Sequence, residues 1–210
     1  MSIRLVVVCG LLFGCGHANP PPPAQTPPVQ ASATPQPAAP SDVPSVVAFD
    51  DLGLSFVVPP GFHVMGDDEL STHVRAHANP HLQADLVKHA SEKKGIPLLV
   101  LSKDLGDGGT LYVTLLATMV PADATASELM TQQVTAMSEN LESFQTTSGP
   151  TAVTLDGVAG MVAGTRHGHV AGDVRLYVRN GLAVQLAAVW PQKNDAKELA
   201  GRVLGGLHFH

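Results

Sequence analysis

Ten histidines stand in this chain of 210 residues. Imidazole is a frequent general base and the commonest metal ligand, so their spacing is the first chemistry to weigh. They gather as His73, His77, His81 and His89, then His167 and His169, then His208 and His210. Within the first group His81, Asp85 and His89 recur every four residues. On a helix each step of four drifts by ~40°, so adjacent members can share a metal more easily than all three. Two imidazoles and a carboxylate would suit Zn²⁺ with one open position; the plain alternative is a solvated helix edge. Hydrolysis is a weaker reading, because neither Gly-x-Ser-x-Gly nor His-Glu-x-x-His occurs among the many serines and histidines. Gly106-Asp107-Gly108-Gly109 has the glycine content of a phosphate loop but not its Gly-Lys-Ser/Thr end, and β-rich runs flank it on both sides, so it reads as a hairpin turn. Arg175, Tyr177 and Arg179 alternate on one face of a β-rich run, a pairing of residue types enriched in protein interfaces. The competing reading lays the arginine stems over Leu182 and Leu186.

Cysteine chemistry is confined to the start of the chain. Only Cys9 and Cys15 are present, so the remainder holds neither a disulfide nor a thiol nucleophile. Arg4 precedes an apolar run from Leu5 to Phe13, too short for a helix spanning a bilayer core of ~30 Å and ending in small residues, as a cleaved secretory leader does. Leu12-Phe13-Gly14-Cys15 resembles the bacterial lipobox, with Leu12 three before the cysteine and Gly14 directly before it; Phe13 is bulkier than that motif usually carries. The resemblance implies cleavage before Cys15 and a covalent diacylglyceryl and N-acyl lipid on its sulfur and amine. Several chains at ~0.8 kcal/mol per buried CH₂ would hold the protein on a membrane. Gly16, where an aspartate would signal retention, implies an outer-membrane, periplasm-facing location. An ordinary secretory leader, giving a secreted or cell-surface protein, is the alternative.

From Gly16 to about Val43 the composition turns to Pro, Ala, Gln, Ser and Thr, with no charge before Asp42. Such a segment cannot bury enough apolar area to offset its ordering entropy, so a polyproline-biased spacer is expected. The organisation read from the chain is therefore a leader over 1–14, a lipidated cysteine and linker over 15–45, and one domain over 46–210. The net charge of −6 is spread rather than blocked, which does not suit a phosphate backbone, so no nucleic-acid partner is expected.

The elements that would position these groups can be read from periodicity and turn chemistry. Val46 to Phe49 and Leu54 to Val58 are β-rich runs around Asp50-Asp51-Leu52-Gly53, and Phe62 should return to the core after Pro59-Pro60-Gly61. Asn79 to Gly95 has a capping residue, a proline at the first helical position and an apolar face of Leu82, Leu86 and Ala90, which predicts a helix. Ile96 to Ser102 and Thr110 to Val120 read as a hairpin. Thr125-Ala126-Ser127-Glu128 is a capping box, and behind it Met130, Val134, Met137, Leu141 and Phe144 predict one apolar stripe on a helix of about twenty residues, with Gln132 and Gln133 outside it. Strands follow at Thr151 to Leu155, Val158 to Arg166, Val174 to Arg179 and Leu182 to Trp190, with a loop from His167 to Asp173. Asn180-Gly181 predicts a two-residue turn that sets Arg179 opposite Leu182, Tyr177 opposite Val184 and Arg175 opposite Leu186. Asn194 or Asp195 should cap a last helix, and Leu207 to His210 can add a terminal strand.

This order, with Gly53-Leu-Ser-Phe-Val-Val-Pro-Pro-Gly-Phe62 early and Tyr177-Val-Arg-Asn-Gly-Leu-Ala-Val184 late, resembles the PsbP-like superfamily, including its DcrB-like bacterial lipoproteins. The resemblance spans residues 46 to 210 and implies an α+β fold with an antiparallel sheet between helices. It also implies a non-catalytic binding or assembly module with no cofactor beyond the lipid, a membrane contact through Cys15 and an envelope protein as partner. His63 departs from the pattern, where a tryptophan is common. A periplasmic metal-binding protein is the alternative function, and a hydrolase the second.

Overall fold

Two β-rich runs at the start of the domain pair with each other across a tight turn. β1 (Ser45–Phe49) and β2 (Leu54–Val58) are antiparallel, joined by a short 3-10 turn over Asp50–Leu52. In the computed structural model, which describes residues 43–66, 69 and 99–210, the other side of β2 is taken by the last strand of the chain. That strand is β10 (Leu207–Phe209), and the three form a small sheet in the order β1-β2-β10.

The larger sheet has seven strands, every neighbouring pair antiparallel. They are β3 (His63–Val64), β4 (Leu99–Gly106), β5 (Gly109–Met119), β6 (Phe144–Leu155), β7 (Val158–His167), β8 (Val170–Arg179) and β9 (Leu182–Pro191), in the order β3-β4-β5-β9-β8-β7-β6. Helix α1 (Ala126–Asn140) carries the chain from β5 to the far edge, and the meander β6 to β9 walks back until β9 pairs with β5. Three of the hairpins close through Asp107-Gly108, Asp156-Gly157 and Asn180-Gly181, and all six residues have φ between 49° and 78°. Positive φ at both central positions is the type I′ geometry, whose twist matches that of the strands it joins. The Asn180-Gly181 turn sets the register read from the sequence: Arg179 opposite Leu182, Tyr177 opposite Val184, Arg175 opposite Leu186.

β9 lies inside the sheet and is covered on both faces, which explains why neither of its faces is polar. Val184, Leu186, Ala188 and Trp190 point into one core, together with Leu54, Phe56, Phe62, Leu207 and Phe209 and with Ala200, Val203 and Leu204 of helix α2 (Lys197–Leu204). Ala183, Ala187 and Val189 point into the other, against Leu129, Met130 and Met137 of α1. The small sheet and α2 therefore cover one face, and α1 covers part of the opposite face. Within this covering layer β2 is tied to the end of α2: the Val57 amide donates to the Gly206 carbonyl at 2.8 Å, and a side chain on Gly206 would bring its Cβ to 2.5 Å from the Val57 oxygen.

Several boundaries differ from the sequence reading, each for a local reason. The capping box is formed, with the Thr125 hydroxyl accepting from the Glu128 amide, but α1 stops at Asn140. Ser143 enters the left-handed region at φ 64°, so Phe144 opens β6 rather than ending the helix, while still packing on the same core. Gln133 is buried between Met130 and Met137, inside the stripe rather than outside it. β6 begins at Phe144 instead of Thr151 because it is an edge strand, where register shifts near Ser148 accommodate Gly149 and Pro150. The loop expected over His167 to Asp173 shrinks to Gly168 and His169, since β8 starts at Val170. Neither Asn194 nor Asp195 caps α2; the N-cap is Ala196, without a side-chain bond. The helix expected over Asn79 to Gly95 lies outside the described residues.

Candidate interaction surface

The three side chains singled out on β8 share one face, and that face is turned inward. Tyr177 is 2 % exposed. Its ring lies across Gly160 of β7, where a Cβ would stand 2.4 Å from the Tyr177 Cδ1, and it meets Phe209 edge-on with centroids 5.7 Å apart. The tyrosine fills the space left by a glycine on the neighbouring strand, so it belongs to the core and is not offered to a partner. This corrects its assignment to a contact surface; alternation along β8 was read correctly, but the alternating face is the one that α2 and the small sheet cover.

Arg175 is half-buried at the edge of that layer. Its guanidinium donates to the Gly201 carbonyl of α2 at 3.4 Å. Burial pushes the Tyr177 phenol above its ordinary range, with Arg175 pulling the other way. Two residues earlier on the same face, burial raises the Asp173 carboxyl above the usual carboxylate value, and the charges of Arg175 and Lys197 oppose that rise. Asp173, Arg175 and Lys197 thus line the seam between α2 and β8. Arg179, at the end of β8, is half-buried as well.

A second polar group sits on the outward face of the small sheet. Ser55 Oγ lies 2.8 Å from His210 Nε2, and Asp156 Oδ2 lies 3.5 Å from His208 Nδ1 while accepting the Phe209 amide at 3.0 Å. A serine beside an imidazole is half of a hydrolase constellation. The acid here faces the other histidine, so these residues do not assemble a Ser-His-Asp relay. Elsewhere, Lys103 holds the Pro59-Pro60-Gly61 turn by donating to the Gly61 carbonyl at 3.2 Å and standing 5.3 Å over the Phe62 ring. His63 pairs with Glu69 at 2.6 Å. Among the described residues no group of three or more His, Cys, Asp or Glu side chains converges as a metal cage, and no helix is long and apolar enough to cross a membrane. Cys15, His81, Asp85 and His89 lie outside the described residues.

Compared with solved structures, the chain is similar to the cyanobacterial PsbP (CyanoP) of Synechocystis sp. PCC 6803, with a TM-score of 0.51 at 13 % identity over 86 % of this chain and 98 % of that one. The fold is PsbP-like. Looser likenesses are LpqN of Mycobacterium tuberculosis, a protein involved in cell envelope biogenesis (TM-score 0.48, 13 % identity, 79 % of this chain and 90 % of that one), and PA94 of Pseudomonas aeruginosa (0.42, 7 %, 77 % and 94 %). No protein-family model and no curated protein matches the chain in sequence. The small sheet and α2, packed on that face of the large sheet, account for the placement of Tyr177 on β8. Sequence reasoning grouped His208 with His210 but missed Ser55 and Asp156. Asp156 read only as a turn residue, and Ser55 only as an ordinary strand position.

Proposed function

We propose that this chain is a lipid-tethered envelope protein whose PsbP-like domain acts as a non-catalytic binding or assembly module. The observation that carries the reading is the order of parts in one chain: a lipobox-like Leu12-Phe13-Gly14-Cys15, a proline-rich stretch over 16–43, then the PsbP-like domain. Acylation at Cys15 supplies the anchor, Gly16 directs it to the outer membrane where the envelope has two, and the spacer holds the domain off the lipid surface so that it can reach a protein partner. The seam of Asp173, Arg175 and Lys197 supports a structural role rather than a reaction, because the Arg175 guanidinium bonds the Gly201 carbonyl of α2. The test is in-cell photocrosslinking from exposed positions of the domain, such as Met119, which is 73 % exposed, and Val64. A discrete higher-mass adduct in the membrane fraction is expected. Monomer alone at every position, together with hydrolysis of an ester or glycan substrate by the purified protein, would overturn the reading.

A further inference from the structure

β10 places two imidazoles side by side. Leu207 and Phe209 point into the core, so His208 and His210 project from the opposite, outward face. Residues two apart on a strand stand ~6–7 Å apart, a span over which two imidazoles can close on one cation. Among the described residues each ring meets a polar side chain at one nitrogen. Asp156 Oδ2, itself fixed by the Phe209 amide, stands 3.5 Å from His208 Nδ1, and a carboxylate there favours the tautomer with the proton on Nδ1 and the lone pair on Nε2. The buried Ser55 Oγ, 2.8 Å from His210 Nε2, can accept that ring's proton and leave the Nδ1 lone pair outward. His208 is 47 % exposed, and His210 is exposed too, so both side chains are within reach of a solvent cation.

We propose that His208 and His210 form a two-imidazole clamp for a divalent transition metal, oriented by Asp156 and Ser55. Histidine ligands characteristically have their second ring nitrogen fixed by a carboxylate, carbonyl or hydroxyl, which sets tautomer and ring angle before the metal arrives. At His210 the Ser55 hydroxyl is in hydrogen-bond contact at 2.8 Å, and at His208 the Asp156 carboxylate stands within ion-pair distance at 3.5 Å. Two protein ligands leave the other positions to water or to an incoming group, so the metal exchanges readily rather than acting as a structural staple. Nitrogen donors with open positions favour Cu²⁺ over Zn²⁺ and Ni²⁺ by the general order of divalent affinities. The proposal rests on His208 and His210 alone and does not depend on the lipid anchor or a protein partner.

The test uses Cu²⁺ and the full chain in detergent. Histidine modification by diethylpyrocarbonate is followed residue by residue by mass spectrometry, which keeps His208 and His210 apart from every other imidazole. One equivalent of Cu²⁺ should slow modification of both rings while leaving His167 and His169 unaffected. Equal rates with and without Cu²⁺, or the same protection at all exposed histidines, would overturn the clamp. Cu²⁺ affinity at this site should fall about 10- to 100-fold in Asp156→Asn, which keeps an acceptor for the Phe209 amide, and at least as far in His210→Ala. Unchanged affinity in both variants would also overturn it.

Discussion

Gly206→Ala perturbs the point where β2 meets the turn between α2 and β10. A Cβ at this position would sit 2.5 Å from the Val57 carbonyl oxygen and 3.1 Å from that of Val203. Both obstacles are main chain, so no side chain can rotate away. Relieving the contact requires β2 and the segment after α2 to separate by roughly half an ångström or more, which stretches the 2.8 Å bond from the Val57 amide to the Gly206 carbonyl. It also opens the packing of Phe56 against Leu207, two fully buried neighbours in register across β2 and β10. Overpacking of this kind costs ~1–3 kcal/mol, and the added strain on a backbone bond places the expected loss at about 2 kcal/mol or slightly more. For a domain of this size that corresponds to a fall in Tm of roughly 4–8 °C. Trp190, the one tryptophan in the chain and part of the same core, reports the transition by fluorescence. Gly205→Ala is the internal control, because Gly205 has ordinary right-handed helical geometry at φ −78° and its Cβ would meet the Arg202 carbonyl at 3.2 Å, a far milder contact than 2.5 Å. The control should lose clearly less stability than Gly206→Ala. Equal tolerance of the two substitutions would refute the tight junction.

Gly181→Val should lower the urea midpoint by the equivalent of ~1–3 kcal/mol, because a β-branched residue resists φ 74° and its Cβ would press on the Val120 carbonyl at 3.3 Å; a wild-type midpoint would mean the type I′ turn is not formed. Thr125→Ala removes the hydroxyl that accepts from the Glu128 amide and should cost ~1 kcal/mol, recovered by Thr125→Asp in the same unfolding assay. Asp173→Asn tests the half-buried carboxyl. Since the folded state raises the Asp173 pKa above 3.8, it binds that proton more firmly than the unfolded chain, so this contribution to stability is gained as pH falls through the raised value and lost as pH rises. The stability of Asp173→Asn relative to wild type should therefore grow as pH rises through that window and then level off; a difference constant with pH would contradict the shift.

What the sequence made legible was local. Asn180-Gly181 fixed a register because two residues with positive φ leave one way for the strands to meet, and Thr125 with Glu128 fixed a helix start because their bonds are reciprocal. Endings were harder. Phe144 has the spacing of the α1 stripe and packs on the same core, so periodicity alone does not reveal that Ser143 breaks the helix. Gly149 and Pro150 look like strand breakers, yet an edge strand tolerates them with a shift of register. The division into two sheets depends on β10 returning to β2 across some 150 residues, a contact that no window of sequence contains. Tyr177 was misplaced for the same reason: alternation identified its face, but the small sheet that buries the face is built from the two ends of the domain. Ser55 and Asp156 gained meaning only once β10 lay between them.

The central claim, that Cys15 carries the anchor of an envelope binding module, is most directly tested by growing cells with labelled palmitate and following label and location of the wild-type chain and of Cys15→Ala. The wild type should take up label and stay with the membrane through a high-salt wash, and Cys15→Ala should lose both. An unlabelled wild type, or a Cys15→Ala chain that remains membrane-bound after the wash, would contradict the account.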